Sequence, residues 1–306
     1  MKIFLQKEMN RYDIFNNVYG IARSSLALSL LITLTFTPTF VYFPKPYLNT
    51  LNKLNSIIPN YFFLFEYSNL NVATIIACII LVLVISGYLP QVTGILHAWI
   101  AYSFFTGSLM VEGGDQIAQI LTLLILPITI FDKRINHWSR KEYFKWRRPF
   151  VVNYFSYSCS YMVKIQMSVL YFFAVTEKLN VPEWIDGSAF YYWFNDSSLG
   201  ASSLFQGVIG FLFDNAFITS IVTWGVLALE ILLFGALFMN KEHKLKMFIL
   251  GVGFHFTIVI IHGLFSFFFA MLAGLILYLL PLNNYLTLKD LFKNFIDSKP
   301  YSRSEY

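Results

Sequence analysis

The chain has 306 residues, of which 57% are hydrophobic and only 13% charged, at a mean hydropathy of +0.60. A soluble domain carries about 25% charged residues, so composition alone excludes one and points to a protein that crosses the bilayer several times. The net charge of +5 comes without any RNA- or DNA-binding motif, and it suits loops lying against anionic lipid rather than nucleic acid.

Residues 1–19 (MKIFLQKEMNRYDIFNNVY) alternate polar and apolar side chains at roughly helical spacing. They are too polar for a signal-peptide core and predict an interfacial amphipathic helix. A membrane domain over 20–282 follows, and 283–306 is expected to be a cytoplasmic tail. Apolar stretches long enough to cross run from Gly20 to Tyr42, Val72 to Leu89, Thr93 to Met110, Asp115 to Phe131, Val152 to Leu179, Ala216 to Met239, Met247 to Gly263 and Leu264 to Leu282. The expected fold is an all-α integral membrane protein, about eight transmembrane helices in one bundle. No internal repeat or low-complexity linker marks a second domain.

Basic loop residues stay on the cytoplasmic side. With both termini inside, eighteen of the 22 Lys and Arg fall in cytoplasmic segments, seven of them in the loop from Lys133 to Arg148. Glu66, Glu112, Asp115, Glu183, Asp186, Asp196 and Asp214 collect at the opposite face. Two outer segments, Phe43 to Asn71 and Asn180 to Asn215, are aromatic-rich caps; the second reads either as an aromatic belt in the headgroup layer or as a lid over a substrate. Cys78 and Cys159 are the only cysteines, each in or near a span, so no disulfide framework is expected.

An ionisable group in hydrocarbon costs about 2.5 to 3.5 kcal/mol on insertion scales, which makes each one a functional or pairing candidate. Asp115, in the run Glu112-Gly-Gly-Asp115-Gln116, stands at the start of the fourth span, where the helix dipole favours a carboxylate; it is an N-cap, or it faces Lys178 across the outer level. Glu177 and Lys178 close the fifth span, directly before an aromatic and acidic stretch containing Trp184 and Asp186. That lysine either snorkels to water or, with its charge contested by burial and carboxylates, serves as a general base. Lys164 and Glu230 lie at similar depth on the fifth and sixth spans and are expected to pair as a helix-register device. His255 and His262 share a helical face about 10.5 Å apart, but no HExxH or i,i+4 histidine pair accompanies them. No metal site is expected; His255 is a hydrogen-bonding or proton-transfer candidate.

Four ordered blocks carry a family likeness: GGDQIAQILTLLILPITIFDKRINHW, KIQMSVLYFFAVTEKLNVPEWIDGSAFYYWF, WGVLALEILLF and FHFTIVIIHGLFSFFFAMLAGLILYL. Together they resemble the HTTM domain family, the multi-span domain shared with vitamin K-dependent gamma-carboxylases, and within it the SdpB branch of bacterial membrane proteins needed to mature a secreted peptide toxin. The resemblance implies an HTTM-like bundle, a bacterial cell membrane location, and Lys178 as the base, with Glu230 as the membrane carboxylate that follows Trp224 and Gly225. It also implies a reduced quinone as the cofactor to consider. Two departures stand out. Asp115 occupies the place where the carboxylases carry an essential histidine, and there is no room for the extramembrane domain that holds their substrate. The second departure implies a small SdpA-like partner subunit that presents the peptide toxin precursor.

The sequence therefore predicts a maturation factor for an exported antimicrobial peptide, with an outward-facing cavity lined by Lys178, Asp115 and His255 and with Glu177, Trp184, Asp186 and Glu230 as substrate-binding residues. A non-catalytic scaffold or transport component, and a toxin immunity or sensor protein, remain open, as does the question of whether the chain is an enzyme.

Overall fold

The computed structural model describes residues 14–46, 59–139, 149–197 and 200–282. Most of the expected interfacial helix, the basic stretch 140–148 and the tail 283–306 lie outside them. All regular elements among the described residues are helical; besides the one-turn helix Thr39–Tyr42 and the 3-10 turns Phe62–Leu64, Tyr67–Asn69 and Ala236–Phe238, they are α1 (Asn17–Phe36), α2 (Leu70–Ile85), α3 (Pro90–Gly107), α4 (Gly113–Phe131), α5 (Phe150–Leu179), α6 (Pro182–Asp186), α7 (Ala189–Phe194), α8 (Ser203–Phe213), α9 (Ala216–Gly235), α10 (Lys241–His262) and α11 (Phe265–Leu279).

Six of these, α1, α2, α4, α5, α9 and α10, are long and apolar enough to cross a membrane. The sequence expectation of about eight is met only in part. Gln91, Thr93 and His97 dilute the hydropathy of α3, and α11 has fifteen residues, about 22 Å of helix at 1.5 Å per residue. Local chemistry sets the boundaries. The side chain of Asn16 accepts from Val18 and Tyr19 N–H at the start of α1, Asn215 does the same for α9, and Pro90 opens α3. Gly263, at φ +71°, stops α10.

Several helices turn large apolar side chains outward, and α10 buries only a narrow face. On α2, Ala73, Ala77, Leu81 and Val84 are buried, while Ile75, Ile79 and Val82 are at least half exposed. On α10 only Gly251, His255 and Val259 are buried, four residues apart and hence on one face. Lipid is as apolar as leucine, so such helices associate through close packing and hydrogen bonds rather than through the hydrophobic effect. At the centre stands α11, with nine of its fifteen residues buried, packed against α1, α4, α5 and α10. Polar side chains fasten it there: Ser29 donates to the Ser266 carbonyl at 2.8 Å, and the Tyr278 hydroxyl donates to the Leu233 carbonyl at 2.9 Å.

A second core joins α1, α2 and α3 to the aromatic residues Tyr42, Phe43, Tyr61 and Phe62. Asn60 ties this cap to α3 by donating to the Ser103 carbonyl at 2.7 Å. The described part of the first outer segment is thus packed rather than a loose cap.

At the opposite end of the bundle stand Arg23 and Arg134, two of the basic residues expected on the cytoplasmic side. Both are fully buried. Arg134 forms a bidentate pair with Asp132, at 2.8 and 2.6 Å, and donates to the His137 carbonyl. Arg23 donates to Thr93 Oγ1 at 2.7 Å and meets His137 Nδ1 at 3.0 Å. A guanidinium has no acceptor, so Nδ1 is the acceptor and the imidazole proton sits on Nε2. The left-handed backbone at Gly87 and Leu89 brings the α2–α3 joint against this cluster, through His137 N–H to the Gly87 carbonyl and Leu89 N–H to the Ile135 carbonyl.

Candidate functional site

Helix α5 is thirty residues long and carries a stripe, Tyr171, Val175 and Lys178, that faces α9 and α10. Helix α9 answers with a buried stripe of Thr219, Thr223, Leu227, Glu230 and Leu233, spaced by three and four. Lys178 Nζ donates to both oxygens of Glu230, at 2.7 and 2.9 Å, and Glu230 is 5% exposed. The expected Lys164–Glu230 pair is therefore not formed. Seen along α5, Lys164 is four turns from Lys178, and the long lysine stem at 178 reaches down to the carboxylate that depth alone had assigned to Lys164.

Trp184 roofs the pair, its ring centroid 5.3 Å from Lys178 Nζ, a cation–π contact. The roof is built by the segment after α5. Trp184 and Ala189 pack with Leu227 of α9, Trp224 Nε1 donates to the Ile185 carbonyl, and Phe190 N–H donates to Thr223 Oγ1. Gly187, at φ +87°, lets α6 turn into α7 directly against Ser220, where a Cβ would stand 2.7 Å from the serine oxygen. Of the belt and lid readings, the arrangement over Lys178 suits a lid in its first half; Tyr192 and Trp193, half exposed or more, have the character of the belt.

Beside the ion pair lies a second couple that pairs an expected residue with one sequence reasoning missed. His255 of α10 meets the Tyr171 hydroxyl at 3.2 Å through Nε2, and both are buried. Among the described residues its Nδ1 has no hydrogen-bond partner. The four side chains form two bonded couples, Lys178 with Glu230 and Tyr171 with His255, which share helix α5 and make up one group. The signal for Tyr171 was present: it lies seven residues before Lys178, two turns back on the same face.

Other expected members stand elsewhere. Asp115 is the third residue of α4 and forms a capping box with Glu112, whose N–H donates to Asp115 Oδ2 at 3.0 Å; the N-cap is Glu112, not Asp115. Ser266 donates in turn to the Glu112 carboxylate. Among the described residues, no hydrogen bond or ion pair links Asp115 to Lys178. Glu177 is exposed. Asp186 accepts from Ser188 N–H and Oγ, and these bonds hold its exposed carboxyl below the usual carboxylate range. His262 lies edge-on to Trp193 with centroids 6.5 Å apart. No cluster of metal-ligating side chains occurs among the described residues.

A cavity of about 270 Å³ opens between α4 and α5, lined by Gln116, Gln166, Met167, Leu170 and Phe173 among others. Neither Lys178 nor Glu230 lines it.

The HTTM domain matches residues 120–281, which contain all four members of the group. The chain is 35% identical to YitO, an uncharacterized protein of Bacillus subtilis (strain 168), over 92% of this chain and 91% of that protein. It is 34% identical to the sporulation-delaying protein SdpB of the same organism, over 94% of this chain and 89% of that protein. No solved structure matches it. With an HTTM match across more than half its length and such relatives along nine-tenths of it, this multi-pass membrane chain belongs to the HTTM domain family.

Proposed function

We propose that the chain is a membrane maturation factor for a secreted antimicrobial or toxin peptide, working with a small SdpA-like subunit on an exported precursor. The kinship with SdpB supports the class of substrate. The observation that carries the reading is the partly buried Lys178–Glu230 pair, roofed by Trp184, with Tyr171 and His255 bonded to each other on the same side of α5. In this reading both termini are cytoplasmic, α3 and α11 also cross to give eight spans, and the α6–α8 face is outward.

A lysine bonded to a carboxylate in a low-dielectric site can pass its proton along that bond, leaving a neutral amine and a carboxylic acid. The amine is then a general base for a group of the precursor docked beneath Trp184, and Glu230 holds the proton. Tyr171 and His255 offer a second donor–acceptor couple one helix away. Glu177 and Asp186, exposed beside the lid, are assigned to contacts with the precursor. Asp115 is assigned to holding the α4 terminus against α11. No step is routed through a quinone.

One observation favours a scaffold instead: the same ion pair also pins α5 against α9, and buried pairs commonly act as register devices. The two readings separate on a charge swap. With Lys178→Glu and Glu230→Lys combined, the chain should return to native abundance, because the pair is restored in reverse. The mass of the precursor peptide, made in cells carrying the partner, should then show no maturation if Lys178 is the base. Native processing by the swapped chain would overturn the catalytic assignment and establish the scaffold.

A further inference from the structure

We propose that the cleft between α5 and the α9–α10 turn holds the phosphate of an anionic phospholipid, gripped by Lys164 and Lys244. Ser168 of α5 donates to the Phe234 carbonyl at 3.0 Å, which sets the α5 turn containing Lys164 beside the short 3-10 turn Ala236–Phe238 that follows α9. Lys244 enters the same turn from the other side, donating to the Leu237 carbonyl at 3.1 Å. Tyr161 lies between them: Lys164 Nζ is 4.9 Å from the centroid of its ring, and its hydroxyl accepts from Tyr157 at 3.1 Å while lying near the Lys244 charge.

Two partly buried ammonium groups of like charge thus border the same turn, and among the described residues no carboxylate reaches either. The same place is the N-terminus of α10, where the helix dipole already favours an anion and disfavours cations. Glu242 there is matched by Lys246 at 2.8 Å, so it does not offset Lys164 or Lys244. A lysine at this depth could snorkel away, yet Lys164 lies on an aromatic ring facing its like charge. An anion between the two removes the repulsion, satisfies the dipole and accepts the free ammonium protons. The surroundings identify it as a lipid: Ile165, next to Lys164, and Phe238, in the 3-10 turn, are more than half exposed, apolar surface suited to acyl chains rather than to a soluble phosphate ester.

The test uses the full chain in nanodiscs of phosphatidylglycerol and phosphatidylcholine, followed by native mass spectrometry of retained lipid. The native chain should retain phosphatidylglycerol in preference to phosphatidylcholine, and Lys164→Gln with Lys244→Gln should lower that retention by about tenfold or more. Lys45→Gln with Lys133→Gln, which removes the same charge from exposed positions away from α10, should change it less than about twofold. Lys164→Arg with Lys244→Arg should restore retention, which excludes misfolding as the cause of the loss. Equal loss in both glutamine pairs, or undiminished retention in the first, would overturn the site. Displacement of phosphatidylglycerol by millimolar inorganic phosphate would overturn the lipid as its occupant.

Discussion

Arg134 and Asp132 illustrate how much a buried residue depends on one partner. The guanidinium satisfies both carboxylate oxygens and a backbone carbonyl with no exposure to water. Arg134→Met leaves the Asp132 charge unpaired in the interior and should cost about 3–5 kcal/mol, whereas Arg134→Met with Asp132→Leu should recover most of it; thermal unfolding of the purified variants in detergent measures both. His137 carries a pH dependence. Burial first, then the charges of Arg23 and Arg134, push its pKa from 6.5 down to about 2. The folded chain keeps it neutral while the unfolded chain takes up a proton below about pH 6.5. Stability should therefore be full above that pH and fall as pH drops toward 2, by at most about 1.4 kcal/mol per unit. Histidine-to-glutamine replacement at 137 should flatten that part of a melting-temperature profile.

At the level of elements, the lid is defined by how α6 and α7 seat on α9. Gly187 holds a positive φ and is in contact with Ser220, so Gly187→Ala combines backbone strain with a clash. It should loosen the lid by about 1–3 kcal/mol without unfolding the bundle. Protease nicking within 182–213 should accelerate while the remaining fragments stay resistant, and peptide maturation should fall if the lid covers the working lysine. A comparable approach occurs at Gly94, where a Cβ would stand 2.5 Å from Thr129 Oγ1; there the glycine sets the α3–α4 distance.

For the whole molecule, alternating helix directions put Lys133 and Trp193 at opposite ends. A Trp193→Cys variant carrying Cys78→Ser should be labelled from outside intact cells by an impermeant maleimide, and a Lys133→Cys variant only after permeabilisation. Labelling of both from the same side would overturn the proposed topology. Two of the charged groups among the described residues are distributed accordingly, Arg23, Asp132, Arg134 and His137 at one end, and Lys178 with Glu230, Tyr171 and His255 beneath the lid.

Hydropathy and length alone determined that this chain crosses a membrane as helices, because an unpaired backbone is too costly in hydrocarbon for anything but helices or closed barrels. They also singled out Lys178, Glu230 and His255, since ionisable groups in apolar runs need no tertiary information to be noticed. What only the tertiary structure decided was pairing. Depth along a span suggested Lys164 as the partner of Glu230, but the choice depends on how two helices rotate and slide against each other, which small and polar contacts such as Ser168 to Phe234 control. Arg23 and Arg134 look like cytoplasmic charges in a linear reading, and they are buried because the left-handed α2–α3 joint folds His137 over them. Residues far apart in the chain meet only after packing, so their chemistry becomes visible only there.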